Sequence, residues 1–115
     1  MKSVPEVFLK HIKDSIEDIE NYTKDMEVRS FLVHENVMVQ DAVVRKIEII
    51  GEATRNLSNE FKQKYPDIPW IDIMDMRNNL IHEYFGVDLE LVWEVVKKDI
   101  PELKIHIKEI LKKML

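Results

Sequence analysis

Apolar residues recur every three or four positions along most of the chain, which is the spacing of one face of an α-helix. The first such stripe follows a capping box, Ser3-Val4-Pro5-Glu6, and runs to about Met26. A short amphipathic stretch over residues 28–33 precedes a second long stripe, from Val37 to Leu57. These patterns predict two long helices joined by a short one.

The second long stripe contains a glycine. Gly51 costs about 1 kcal/mol relative to alanine inside a helix, because glycine loses more backbone freedom on folding. Close approach of a neighbouring helix would explain its presence. We therefore predict that another helix packs tightly against this turn.

Proline and glycine divide the second half of the chain. After a short helical stretch over residues 60–64, the segment YPDIPW cannot continue a helix, since proline lacks an amide hydrogen and favours extended geometry before it. A third long helix is predicted from Trp70 to Phe85, ended by Gly86 as a left-handed cap. Asp88 is the predicted N-cap of a last helical region, in which Pro101 is either a first-turn residue or a kink.

No segment alternates apolar and polar residues as a strand would, so the predicted fold is all-α, a bundle of four to five helices. The 115 residues suit one domain, spanning residues 1–115. Charged residues interrupt every apolar run well before about 18 residues, so no membrane association is expected. Cysteine is absent, which fits a reducing compartment, and a cytoplasmic location is expected.

The segment MRNNLIHEYFG, residues 76–86, places polar groups inside the predicted third helix. At about 100° per residue, Arg77 falls within a sector of the helix that is otherwise apolar. The apolar members of this sector are Trp70, Ile73, Met74, Ile81 and Tyr84. A guanidinium in a helical core requires a carboxylate, a phosphate or water as its partner.

Helical geometry leaves two interpretations of this segment open. Asn78 lies one turn before His82 and could orient its imidazole, whereas His82 lies about 140° round the helix from Arg77. If the two act on one small group, either the helix distorts or two copies of it meet. Otherwise Arg77 is a structural ion-pair partner of Glu48 or Glu52, and His82 is a surface residue.

Arg77, His82 and Tyr84 match an R-x4-H-x-Y pattern, in which this chain resembles the HepT-like toxins of the HEPN superfamily of small helical ribonucleases. The resemblance extends along the chain through four blocks in the family's order. These blocks are QDAVVRKIEIIGEA (residues 40–53), YPDIPW, MRNNLIHEYFGVD and LVWEVVKKDIPEL. It implies a HEPN-like fold and a homodimer in which the arginine and histidine of two protomers face each other.

The resemblance further implies a metal-independent RNA endonuclease without a cofactor, the toxin of a two-gene type II module whose antitoxin is a nucleotidyltransferase. Arg77 and His82 would be catalytic, and the product would be a 2′,3′-cyclic phosphate. Asn78 would be a supporting or substrate-binding residue beside them. Tyr84 would contact substrate or accept an AMP group from the antitoxin. Glu52 is kept as a supporting residue, a candidate partner of Arg77.

The excess of acidic side chains around the motif is unfavourable for RNA binding. The net charge is −5, and residues 36–96 carry six basic against eleven acidic side chains, the opposite of the usual phosphate-binding field. Residues 97–115 carry a net charge of +3 and could form a basic strip. A second hypothesis is therefore a non-catalytic dimeric module that binds a nucleotidyltransferase and is modified by it. No metal site is predicted, since no histidine follows a glutamate by three positions.

Overall fold

A computed structural model describes residues 4–82 and 86–114 of the chain, and His82 by its backbone alone. Ser3 of the predicted capping box and Tyr84 lie outside the described residues. Within them the protein is a helical bundle, which confirms the all-α prediction. None of the described helices is long and apolar enough to cross a membrane.

The helices follow in chain order, with two short strands between the fifth and the sixth. They are α1 (Val4–Tyr22), α2 (Val28–Leu32), α3 (Val37–Asn56), α4 (Asn59–Gln63), α5 (Trp70–Asn79), β1 (Ile81–His82), β2 (Gly86–Val87), α6 (Leu89–Glu94) and α7 (Ile100–Lys113). A π-helical turn, Val95–Asp99, joins α6 to α7 without a break. Because Pro101 has no amide hydrogen to donate, its place in the first turn of α7 is compatible with this change in hydrogen bonding.

The core forms around α1, which packs against α3 on one side and against α7 on another. The buried side chains of these three helices are almost all aliphatic and repeat at three- and four-residue spacing, as the sequence predicts. They include Leu9, Ile12, Ile16 and Ile19 of α1, Val43, Ile47 and Ile50 of α3, and Leu103, Ile107 and Ile110 of α7. Helix α5 packs against α3 and so depends on this core for its position.

Gly51 marks the closest approach of α3 to α5. A Cβ atom at position 51 would stand 3.1 Å from the carbonyl oxygen of Met74, which is tighter than ordinary van der Waals contact. One turn along α3, the Nη2 atom of Arg55 donates a 2.8 Å hydrogen bond to the same carbonyl oxygen. The prediction that a helix packs closely on Gly51 is confirmed.

The prediction of one helix from residue 70 to residue 85 is wrong, because α5 ends at Asn79. Ile81 and His82 instead pair antiparallel with Val87 and Gly86. The amide of Asp88 donates a 2.7 Å hydrogen bond to the carbonyl oxygen of Leu80, the residue that follows α5. The C-terminal end of α5 therefore has a hydrogen-bond partner outside the helix. The helix therefore stops where a non-helical partner satisfies its backbone.

The two capping predictions after this point have different outcomes. Gly86 does adopt a positive φ of 76°, but it belongs to β2 and is not the cap of a helix. Asp88 is the N-cap of α6 as predicted, since its carboxylate accepts a 3.1 Å hydrogen bond from the amide of Leu91.

The close approach of α3 and α5 can be tested with Gly51→Ala. Helix propensity alone would stabilise the variant by about 1 kcal/mol. Displacing the Met74 carbonyl should cost more, because overpacking a tight contact costs about 1–3 kcal/mol. We expect a net loss of stability in urea unfolding, against little change for the exposed control Arg45→Ala on the same helix. A Gly51→Ala variant as stable as the parent would contradict the tight contact.

Candidate functional site

A polar crevice of about 170 Å³ lies between α3 and α5, where the two helices approach at Gly51. Its lining includes four polar residues singled out from the sequence and is almost entirely charged or amide-bearing. The lining residues are Glu48, Glu52 and Arg55 from α3, and Met74, Arg77 and Asn78 from α5. We call this site the α3–α5 crevice.

Arg77 lies at the surface of the crevice with its side chain 45% exposed, so its predicted place in the core is wrong. Near the end of α5 the buried positions are Met76 and Leu80, and Arg77 lies about 80° round the helix from their midpoint. The predicted sector was misplaced because it left out Met76 and Leu80, which are buried. It also counted Ile81 and Tyr84 as helical. Ile81 is in β1, and Tyr84 lies outside the described residues.

Glu48 is the ion-pair partner of Arg77, which decides between the two glutamates named from the sequence. The Nε atom of Arg77 lies 3.5 Å from Oε2 of Glu48, whose side chain is 30% exposed. The exposed carboxylate of Glu52 lines the same crevice but makes no ion pair with any residue that the structure describes. Partly exposed pairs of this kind stabilise a protein by about 1 kcal/mol or less. Arg77 is therefore held only weakly.

Arg55 is a member of the crevice that the sequence analysis missed. Its guanidinium donates to the carbonyl of Met74 and lies 3.6 Å from the carboxylate of Asp75. The signal was present in the sequence, because Glu48, Glu52 and Arg55 are spaced four and three apart and so share one face of α3. Two arginines thus reach this crevice, one from each helix.

A lysine of α4 adds a third cationic group near Met74. The Nζ atom of Lys62 lies 3.4 Å from the sulfur of Met74, and burial lowers the pKa of this amine. Arg55 binds the backbone carbonyl of the same methionine. Cationic groups from α3 and α4 therefore meet at this turn of α5.

His82 lies beyond α5, where its backbone pairs with Gly86. Because residue 82 is not helical, neither its predicted one-turn relation to Asn78 nor its angle of about 140° from Arg77 applies. The structure brings Arg77, Asn78 and Glu52 together in the crevice. Its description of His82 ends at the backbone, and the predicted roles of Tyr84 fall outside the described residues.

Comparison with known proteins identifies the family of the chain. The family profile described as Ribonuclease HepT-like matches residues 12–110, which include the whole α3–α5 crevice and the strand pair after it. This chain belongs to the HepT-like ribonuclease family. No solved structure matches it.

Curated relatives agree with this assignment. The HepT-like chain is 45% identical over 104 residues to the "Probable ribonuclease HepT" of Thermococcus cleftensis, covering 90% of this chain and 93% of that protein. It is 52% identical over 114 residues to the "Gamma-glutamylcyclotransferase and putative RNase" of Methanocaldococcus jannaschii. That match covers 99% of this chain and 50% of the relative, so the chain spans half of that protein's length.

A larger cleft of about 440 Å³ separates α5 of the HepT-like chain from its last helices. Its base is apolar and its rim carries Asp72, Asp99 and Glu102, with His106 beside them. Partial burial and the nearby Glu102 carboxylate raise the pKa of Asp99. Among the described side chains, no group of three or more histidines and carboxylates is placed to hold a metal ion. Of the three motif residues only Arg77 has a described side chain, and Arg77 does not line this cleft.

The weak hold on Arg77 can be tested by a double-mutant cycle with Arg77→Ala, Glu48→Ala and the double variant. Because both side chains contact solvent, we expect a coupling energy below about 1 kcal/mol in urea unfolding. A coupling of about 3 kcal/mol or more would indicate a buried pair instead. With a small coupling, loss of activity in Arg77→Ala can be attributed to chemistry rather than to unfolding.

Proposed function

We propose that this HepT-like protein is a metal-independent RNA endonuclease and the toxin of a type II toxin–antitoxin module. The observation that carries the proposal is the solvent-exposed guanidinium of Arg77, positioned in a polar crevice of a chain from a ribonuclease family. An arginine with one weak partner can exchange that partner for a phosphate oxygen. RNA as the substrate is consistent with the expected cytoplasmic location.

Arg77 and His82 have the chemistry that RNA cleavage requires. In the proposed reaction the ribose 2′-oxygen attacks the adjacent phosphorus and loses its proton to the imidazole of His82 or to water. The bond from phosphorus to the 5′-oxygen breaks, and the leaving oxygen takes up a proton. The guanidinium of Arg77 stabilises the charge that develops on the phosphorane. The products are a 2′,3′-cyclic phosphate and a 5′-hydroxyl.

The other crevice residues would assist this reaction. The Asn78 amide is exposed beside Arg77 and can donate to a substrate oxygen. Glu48 would hold the guanidinium in place until a phosphate replaces it, and Glu52 would repel a badly placed phosphate. We further propose a homodimer in which Arg77 of one protomer and His82 of the other serve one cleft. This pairing rests on the family pattern.

The carboxylates of the crevice favour a second candidate function. Glu48 and Glu52 face the position that a phosphate would occupy, and like charges oppose its binding. The protein would then be a non-catalytic dimeric module that binds a nucleotidyltransferase and is modified by it. Cleavage of RNA by the purified protein distinguishes the two functions.

The catalytic assignment predicts that His82→Ala and Arg77→Ala each abolish RNA cleavage. Helicity and the sedimentation of the dimer should remain those of the parent, because Arg77 is exposed and residue 82 follows the end of α5. Cleavage by the parent should continue in excess EDTA and yield 2′,3′-cyclic phosphate ends, as read by mass spectrometry. A His82→Ala protein that still cleaves RNA would refute the role of His82.

Co-refolding the two inactive variants tests the shared cleft. A mixed dimer retains one intact Arg77 and one intact His82 on different protomers, so cleavage should return. Two copies of the same variant, refolded alone, are the control. A mixed dimer that forms in sedimentation but stays inactive would exclude the shared arrangement.

The family pattern also leads us to propose Tyr84 as the site at which a nucleotidyltransferase antitoxin acts. The phenolic oxygen would attack the α-phosphorus of ATP, forming a tyrosyl–AMP ester and releasing pyrophosphate, while the hydroxyl proton goes to a base or to water. The added phosphate would compete with RNA for Arg77. Glu52 and Asn78 would remain unmodified.

Intact mass measurement after incubation with the partner enzyme and ATP tests this modification. The wild-type chain should gain one AMP and lose ribonuclease activity. The Tyr84→Phe chain should gain none and stay active in the presence of the partner. Equal AMP addition to both chains would place the modification elsewhere.

A further inference from the structure

A groove of about 370 Å³ between α1 and α7 brings together lysines that are far apart in the sequence. Lys10 and Lys13 of α1 face Lys108 and Lys112 of α7, and we call this surface the lysine groove. The other lining residues are Glu6, Asp14 and Leu111. Four amines meet two carboxylates here, in a chain whose net charge is −5. The local charge of the groove is thus opposite to that of the whole protein.

The two lysines on the α7 side are not neutralised by any residue that the structure describes. Lys108 and Lys112 are exposed, and neither makes an ion pair with any residue in 4–82 or 86–114. On the α1 side, Lys10 lies 3.1 Å from Glu6, and Lys13 lies 3.4 Å from Glu17. Both are partly exposed pairs within one helix. The positive charge that the groove keeps available therefore lies on its α7 side.

The lysines nearer the start of α7 are engaged within the protein. Lys104, one turn before Lys108, lies 2.9 Å from the carboxylate of Glu20 on α1. Lys97 places its amine 4.8 Å from the ring centre of Trp93. The helix dipole favours a cation such as Lys112 in the last turn of α7. It does not account for Lys108, or for Lys10 and Lys13 within α1.

We infer that the lysine groove binds the phosphate backbone of RNA outside the α3–α5 crevice. The inference rests on the proposed ribonuclease function. The two carboxylates of the crevice balance its two guanidiniums, so it supplies little of the net positive charge on which nucleic-acid binding depends. Backbone contacts position a strand without reading its sequence.

The groove can be tested by RNA affinity in the His82→Ala background, where RNA stays uncut. The probe is a fluorescently labelled single-stranded RNA of about 16 nucleotides. The Kd of its complex with the protein is measured by fluorescence anisotropy over a range of KCl concentrations. The variant Lys108→Gln/Lys112→Gln should raise Kd by about tenfold at ~0.1 M salt. For this variant, the slope of the logarithm of the association constant against the logarithm of the KCl concentration should fall in magnitude by about 1.4. This is the value for two lost phosphate contacts on a single strand.

A matched control separates the groove from net charge. Lys97→Gln/Lys104→Gln changes the net charge equally, on the same stretch of helix, but outside the lysine groove. Its Kd and salt slope should stay within about twofold of the background protein. Melting curves of all variants establish that each one is folded.

The outcomes separate this inference from the proposed function. Equal weakening by the two double variants would mean that net charge alone acts, which overturns the groove. A second outcome is unchanged RNA binding in Lys108→Gln/Lys112→Gln while the parent, which retains His82, still cleaves RNA. This result would refute RNA binding by the lysine groove and would agree with the proposed ribonuclease function. Absence of both binding and cleavage in the parent would overturn both proposals.

Discussion

The contact between α3 and α5 at the Met74 carbonyl is the constraint on which the candidate site depends. Gly51 allows the two backbones to approach, and Arg55 then reaches the same carbonyl at 2.8 Å. A larger residue at position 51 would require the Met74 carbonyl to yield by a few tenths of an ångström. Glu48 and Arg77 meet across the same interface. The absence of a side chain at position 51 therefore allows the polar residues of the two helices to form a crevice.

Periodicity was sufficient to predict the helices that form the core, because their stability comes from burying one aliphatic face. Helices α1 and α3 begin and end close to the predicted positions, and the tight packing on Gly51 follows from its cost in a helix. The end of α5 could not be predicted in this way. It depends on a hydrogen bond from Asp88 to Leu80, made only when the chain folds back on itself. The spacing of apolar residues in the sequence does not show that the helix ends there.

Two separate errors arose at the candidate site. The predicted core face left out Met76 and Leu80, which are buried, and this placed an exposed guanidinium in the interior. The missed end of α5 created the angular argument for His82, which does not apply to a residue in β1. The family itself was recognised correctly, because the resemblance depends on residue identity and spacing. Geometry derived from an assumed helix was the part that failed.

The electrostatics of the chain favour a division of tasks between its surfaces. Affinity for a polyanion grows with the number of amines that neutralise phosphates, whereas stabilising one developing charge requires a single well-placed donor. The carboxylates beside Arg77 oppose the first task but still permit the second, since a weak ion pair can be exchanged for a phosphate. Two acidic neighbours would also discourage phosphates that bind in the wrong position. A crevice whose carboxylates balance its arginines can thus increase selectivity, provided that amines elsewhere on the protein supply the affinity.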